Sequence, residues 1–156
     1  MVDKSTIGGI YMKKRNLLNK YIAMIDRASQ GYLDEALKKY ELSSGTYPFI
    51  LALYDNEGIN QNALSEYVKV DKALSARAIK KLIELGYVEK IINNKDARAY
   101  KLYLTEKAKA VVPKIREASD GWLHIITNGL TEEEKETAEC LLQNIYMNIK
   151  ESKAKN

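Results

Sequence analysis

From Ile10 to Tyr40 the apolar side chains fall at positions 10, 17, 18, 21, 22, 25, 28, 32, 33, 36, 37 and 40. Steps of three and four held over about eight turns predict one long amphipathic helix. At about 1.5 Å per residue it would run roughly 45 Å, more than a small core can cover. A second helical pattern spans residues 105–128, with Ala108, Val111, Val112, Ile115, Trp122, Leu123 and Ile126 on its stripe. Pro113 falls inside it and predicts a bend or a break, because proline removes a helical N–H and crowds the preceding turn. A third begins at Thr131, whose hydroxyl can cap it while Glu134 closes a capping box. Its stripe is Ala138, Leu141, Leu142, Ile145, Tyr146 and Ile149. Glu151 to Asn156 read as a frayed tail.

The middle of the chain has shorter periods. Tyr47 to Asp55 predicts a short apolar helix with Pro48 in its first turn, ended by Asn56-Glu57-Gly58. Asn60 caps a helix through Val68, and Lys69-Val70 makes a tight connection. Asp71 caps a longer helix, residues 72–85, which Gly86 stops. Tyr87 to Ile92 reads as a strand, Asn93 to Ala97 as a polar tip, and the alternation of Tyr100, Leu102 and Leu104 as the returning strand. The predicted fold class is mainly α with a small β-hairpin wing: a winged helix-turn-helix between long N- and C-terminal helices. The expected organisation is an N-terminal helical segment at 1–41, a winged region at 42–107 and C-terminal helices at 108–156, within one structural domain. In a helix-turn-helix the second helix enters the DNA major groove.

Composition narrows the function classes. At 156 residues the chain suits one domain. One Cys excludes an internal disulfide framework, and one His beside it leaves no soft-metal site. No apolar run approaches the roughly 18 residues of a membrane span, and the N-terminus lacks a secretory h-region, so a cytoplasmic location with no membrane partner is expected. The net charge is only +4. Its distribution is more informative: residues 69–101 carry nine basic and four acidic side chains, a local +5 against −1 for all the rest. Such clustering is the footprint of a polyanionic partner, or else one solvated lysine-rich face.

In projection the helix 72–85 turns Ser75, Ala78, Ile79 and Leu82 to one side as a core face. Arg77, Lys80 and Lys81 point away, with Lys72 at the N-terminal end. Arginine can bridge guanine O6 and N7, lysine neutralises phosphate, and Ala73, Leu74 or Ala76 can meet a thymine methyl. The hairpin tip adds Lys95, Asp96 and Arg98. Cations on a narrow projection suit the minor groove or its flanking phosphates. Asp96 is expected to hold Arg98 extended through a charge-assisted bond, or to complete a local turn.

The stretch from Ile59 to Lys109 resembles the winged-helix core of the MarR family of bacterial transcription regulators. The matching marks are Gln61 with Leu64-Ser65, then Arg77, Leu82, Gly86-Tyr87-Val88, Asp96-x-Arg98 and Leu104-Thr105-Glu106-Lys107. The flanking helices extend the resemblance over nearly the whole chain. It implies a homodimer in which the terminal helices of two subunits interleave and two winged regions grip a palindromic operator in double-stranded DNA. Arg77 would then reach bases and Arg98 would enter the minor groove. Two departures stand out. The family often has hydroxyl residues where this chain has Ala73 and Leu74, and a second arginine where it has Ala97.

Many relatives release DNA on binding a small aromatic acid, so a small aromatic effector is expected, with no resident cofactor and no assignable pocket residues. Cys140 lies opposite the apolar stripe of the last helix with no adjacent base to activate it, which argues against thiol sensing. His124 reads as a satisfied core or surface histidine. No phosphate loop, triad or metal cluster suggests an enzyme. The expected function is a dimeric, sequence-specific DNA-binding regulator, more often a repressor; the alternative is a winged-helix module that binds protein instead of DNA.

Overall fold

In a computed structural model, residues 17–93 and 96–154 are described, and side chains are not described between 93 and 99. Within those residues nine elements follow one another. They are α1 (Leu17–Leu37), a 3₁₀ turn (Lys38–Tyr40), α2 (Tyr47–Asp55), α3 (Gln61–Val68), α4 (Lys72–Glu84), β1 (Val88–Asn93), β2 (Asp96–Leu104), α5 (Glu106–Ile126) and α6 (Glu132–Ala154). The mainly α fold with a hairpin wing is therefore present. By compactness the chain divides into two units whose boundary falls within α5, one ending at Ser119 and the other starting at Asp120.

The first unit holds the core. Leu37, Phe49, Ile50, Leu53, Leu64, Leu82, Leu102 and Ile115 are almost wholly buried. Leu37, Leu82, Leu102 and Ile115 lie at the helical or strand phase the sequence pattern assigns. The long first stripe is α-helical only to Leu37. It then tightens into the 3₁₀ turn and stops at Glu41, whose φ of 57° is left-handed. The hydroxyls of Ser43 and Thr46 organise the entry to α2, with the Ser43 N–H donating to Thr46 Oγ1 at 2.9 Å.

The hairpin is antiparallel, pairing Val88 with Leu104, Lys90 with Leu102 and Ile92 with Tyr100. The register shifts between Ile92 and Asn93, which pairs with Asp96. The strands therefore extend into the expected polar tip: the backbone of Asp96 and Ala97 belongs to β2. Gly58, at φ +79°, turns the chain after α2 so that Ile59 bridges Leu102 on the outer edge of the hairpin. A side chain at Gly58 would bring a Cβ within 3.0 Å of Tyr103 Oη.

Three local expectations change. The helix α5 continues through Pro113 without the break that the sequence offers as one of two outcomes. One missing hydrogen bond is outweighed by the burial of Val111, Val112 and Ile115 on either side. The C-terminal tail is helical to Ala154, since Glu, Lys and Ala favour helix and Ser152 Oγ donates to the Ile149 carbonyl at 2.9 Å. The strand β1 begins at Val88, because the backbone of Tyr87 instead closes the end of α4.

The second unit is the end of α5 and α6. The capping box forms as spaced: the Thr131 N–H donates to Glu134 Oε2 at 2.8 Å, and the Glu134 N–H to Thr131 Oγ1 at 3.2 Å. No described residue of α6 is buried. Among the described residues, no helix is long and apolar enough to cross a membrane.

Candidate nucleic-acid interface

Two side-chain caps set the helix-turn-helix. Asn60 Oδ1 accepts from the Ala63 N–H at 2.9 Å, and Asp71 Oδ1 from the Leu74 N–H at 2.8 Å. Between them Lys69 takes a left-handed φ of 63°, letting the Val70 N–H donate to the Ser65 carbonyl at 3.2 Å. This closes the end of α3 and starts α4 two residues later. Each cap is worth about 1 kcal/mol, and together they fix the phase at which α4 leaves the core.

That phase is the one the projection assigns. Ser75, Ala78, Ile79 and Leu82 are buried, while Lys72, Ala73, Ala76, Arg77, Lys80 and Lys81 are exposed along the opposite side. Leu74 is also exposed, beside the capped N-terminus. Lys80 and Glu84 approach to 4.0 Å, with both side chains more than half exposed. Such a pair holds little energy and leaves Lys80 able to turn to another anion.

The far end of α4 is tied to α5. Gly86, at φ +73°, ends the helix, and the Tyr87 N–H donates to the Leu82 carbonyl at 2.9 Å. Lys107 Nζ donates to the Leu85 carbonyl at 2.7 Å and lies 4.3 Å from the centre of the Tyr87 ring. Thr105 Oγ1 donates to the Gly86 carbonyl at 2.7 Å and accepts from the Ala108 N–H at 3.2 Å. One threonine thus serves both helix ends, and a cation sits on the negative end of the α4 dipole. Several marks of the sequence motif are accordingly joints that orient α4.

The hairpin follows directly. Lys95 lies outside the described residues, as do the side chains of Asp96 and Arg98. Their postulated bond therefore falls outside the description too. Nearer the body, a cleft of about 370 Å³ separates the flank of α4 from the hairpin, lined by Gln61, Lys80, Glu84, Lys90 and Tyr100 among others. Tyr100 Oη donates to Gln61 Oε1 at 2.7 Å, and Lys90 Nζ stands 3.7 Å from the centre of the Tyr100 ring. Lys90 belongs to the charge cluster, but a charge count does not place it here. The available signal is a lysine that alternates with Val88 and Ile92 along the strand.

Comparison with known proteins agrees with this geometry. The MarR family profile matches residues 40–99, the span from the end of the 3₁₀ turn into β2. The uncharacterized HTH-type transcriptional regulator YybA of Bacillus subtilis is 37% identical over 134 residues, covering 86% of this chain and 89% of that protein. The crystal structure of a MarR transcriptional regulator from Methanosarcina mazei superposes with a TM-score of 0.76 at 34% identity, over 87% of this chain and 99% of that one. A putative MarR family regulator from Listeria monocytogenes, solved with a 26mer DNA, gives a TM-score of 0.77 at 26% identity, over 85% and 89% of the two chains. With its winged helix-turn-helix and relatives along nearly its full length, this chain belongs to the MarR family of DNA-binding transcriptional regulators, which are not enzymes.

Proposed function

We propose that the protein is a cytoplasmic, homodimeric repressor that binds a palindromic operator, with α4 in the major groove and the residue 93–98 wing at the adjacent minor groove. The observation that carries this reading is the capped, core-locked α4 presenting Lys72, Arg77, Lys80 and Lys81 on its free side, directly before a basic hairpin. Arg77 is assigned to bases, Ala73 and Ala76 to apolar contact, and Lys72, Lys80 and Lys81 to phosphates. Lys95 and Arg98, with Asp96 as the partner of Arg98, are assigned to the minor groove. The DNA complex of the Listeria relative supports duplex DNA as the partner.

We assign release to a small ligand bound in the first unit. A cleft of about 360 Å³ lies among α1, the start of α2 and the α3–α4 connection, walled by Leu33, Tyr47, Phe49 and Leu74. That size suits a small aromatic molecule, and Leu74 links its wall to α4. Asp26 is the only charged group among its described lining residues, so a neutral or cationic aromatic effector fits better than an aromatic acid.

Selection of genomic fragments with the purified protein, followed by titration of the selected duplex against random duplex, tests the reading. We expect a palindrome with half-sites about 10 bp apart and an affinity that falls steeply with salt. Arg77→Ala should abolish the preference, whereas Arg98→Ala should weaken binding and reduce its salt dependence. Equal affinity of the native protein for selected and random duplex would overturn it.

A further inference from the structure

Resting on the reading that α4 and the wing occupy neighbouring grooves, we infer that the cleft between them is a seat for one backbone phosphate, with Lys90 as its cation and Tyr100 and Gln61 as its frame. The major and minor grooves are separated by a single sugar-phosphate strand. A protein that fills both from one side must let that strand pass between the two filling elements. Here the passage is the cleft flanked by α4 on one side and by β1 and β2 on the other.

Its chemistry suits a phosphate. Lys90 lies opposite the buried Leu102, at a strand position where the alternation calls for an apolar residue, and its side chain is exposed. Its ammonium is instead held over the Tyr100 face, 3.7 Å from the ring centre. A ring contact of this kind restrains the flexible stem while leaving the N–H donors that point away from the ring for an anion. Tyr100 is itself restrained, since its hydroxyl donates to Gln61 in the first turn of α3 at 2.7 Å. The hairpin is thereby fastened to the helix-turn-helix at the point where the strand would cross. Among the described residues no carboxylate pairs with Lys90; Glu84, the acid of the cleft, lies 4.0 Å from Lys80. Lys80 stands on the opposite wall and can close on the same phosphate once it leaves Glu84. Neither Lys90 nor Tyr100 reads base edges in this arrangement, so the seat sets the spacing and tilt of the wing relative to α4 and adds affinity to any sequence.

The test uses the full-length protein and its selected operator, in which single phosphates are replaced in turn by neutral methylphosphonates. With the native protein, one neutral linkage between the major-groove and minor-groove contacts of each half-site should weaken binding about five- to tenfold. Lys90→Gln should weaken native operator and random duplex by a similar factor and lower the salt slope by about one per subunit. Combining Lys90→Gln with that neutral linkage should cost no more than either alone. Lys90→Arg should restore affinity, and Tyr100→Leu should lose most of what Lys90→Gln loses while circular dichroism reports the native fold. Full additivity of variant and linkage, or native affinity and salt slope in Lys90→Gln, overturns the seat alone and leaves operator recognition standing. Failure of the native protein to prefer any duplex overturns both.

Discussion

Ser75 sits on the buried face of α4 with its hydroxyl wholly enclosed and without a hydrogen-bond partner among the described residues. Leaving a buried hydroxyl unpaired costs about 1–3 kcal/mol, while the carbon framework of serine packs like alanine. Ser75→Ala should therefore stabilise the fold by about 1 kcal/mol in urea denaturation; a loss of stability would show that the hydroxyl has a partner in solution. Tyr87 is the opposite case. Its hydroxyl donates to the Tyr40 carbonyl at 2.8 Å, tying the end of α4 to the 3₁₀ turn. Burial first, and then the charges of Glu41 and Tyr40, raise its pKa above the ordinary 10.0. Below pH 10 both folded and unfolded chains keep this proton. Above pH 10 the unfolded chain loses it first, so the contribution of Tyr87 falls as the pH rises through the folded-state value. Tyr87→Phe should cost about 1 kcal/mol at pH 7 and flatten the decline that sets in above pH 10. Native and variant curves that stay parallel over that range would contradict this assignment.

Glycine acts in opposite senses in two helical elements. Gly86 ends α4 at φ +73°, with nothing within 4 Å of the place a Cβ would take, so alanine there meets only backbone strain. Gly31 lies within α1, also with open space around it, where alanine reduces the entropy of the unfolded chain. We expect Gly86→Ala to cost about 1–2 kcal/mol and Gly31→Ala to add about 0.5–1 kcal/mol, both read by thermal unfolding. Shifts of the same sign would refute the assignment of Gly86 as the stop of α4. The stop was legible in the sequence, as were the caps at Asn60, Asp71 and Thr131, because each uses a residue type that acts on its own backbone neighbours. The core face of α4 was legible for a similar reason: helical phase alone selects Ser75, Ala78, Ile79 and Leu82. Continuation of α5 through Pro113 was not, since it depends on tertiary burial that outweighs a local penalty. Nor was the role of Lys107, which reaches the Leu85 carbonyl 22 residues back. The Lys90–Tyr100–Gln61 chain was hidden likewise, because it joins a strand pair to a helix 39 residues from Tyr100.

At the scale of the whole molecule the apolar surface is out of proportion to a single chain. The stripe of α1 buries Leu33 and Leu37 near its C-terminal end but leaves Leu18, Tyr21 and Ile25 more than half exposed. In the second unit Leu141 and Leu142 are each 57% exposed, with Tyr146 and Ile149 also open. Contiguous apolar patches of this kind mark an interface. A second copy is the occupant we expect, since the same helix faces then cover one another in a two-fold arrangement. Two operator half-sites would be addressed by two copies of α4, and the local +5 of residues 69–101 would be doubled on the DNA side. The native protein should therefore sediment as a dimer at micromolar concentration, with an unfolding temperature that rises with protein concentration. Leu142→Glu and Ile25→Glu, each placing a carboxylate in an exposed apolar patch, should shift the equilibrium towards monomer. Neither residue belongs to α4 or the hairpin, so each variant should bind a single half-site about as well as the native subunit does. Each should also lose most of the advantage of the full palindrome, because the second contact is no longer tethered to the first. A native protein that sediments as a monomer and binds half-site and palindrome alike would exclude the two-fold arrangement. Both variants remaining dimeric would place the interface on other faces.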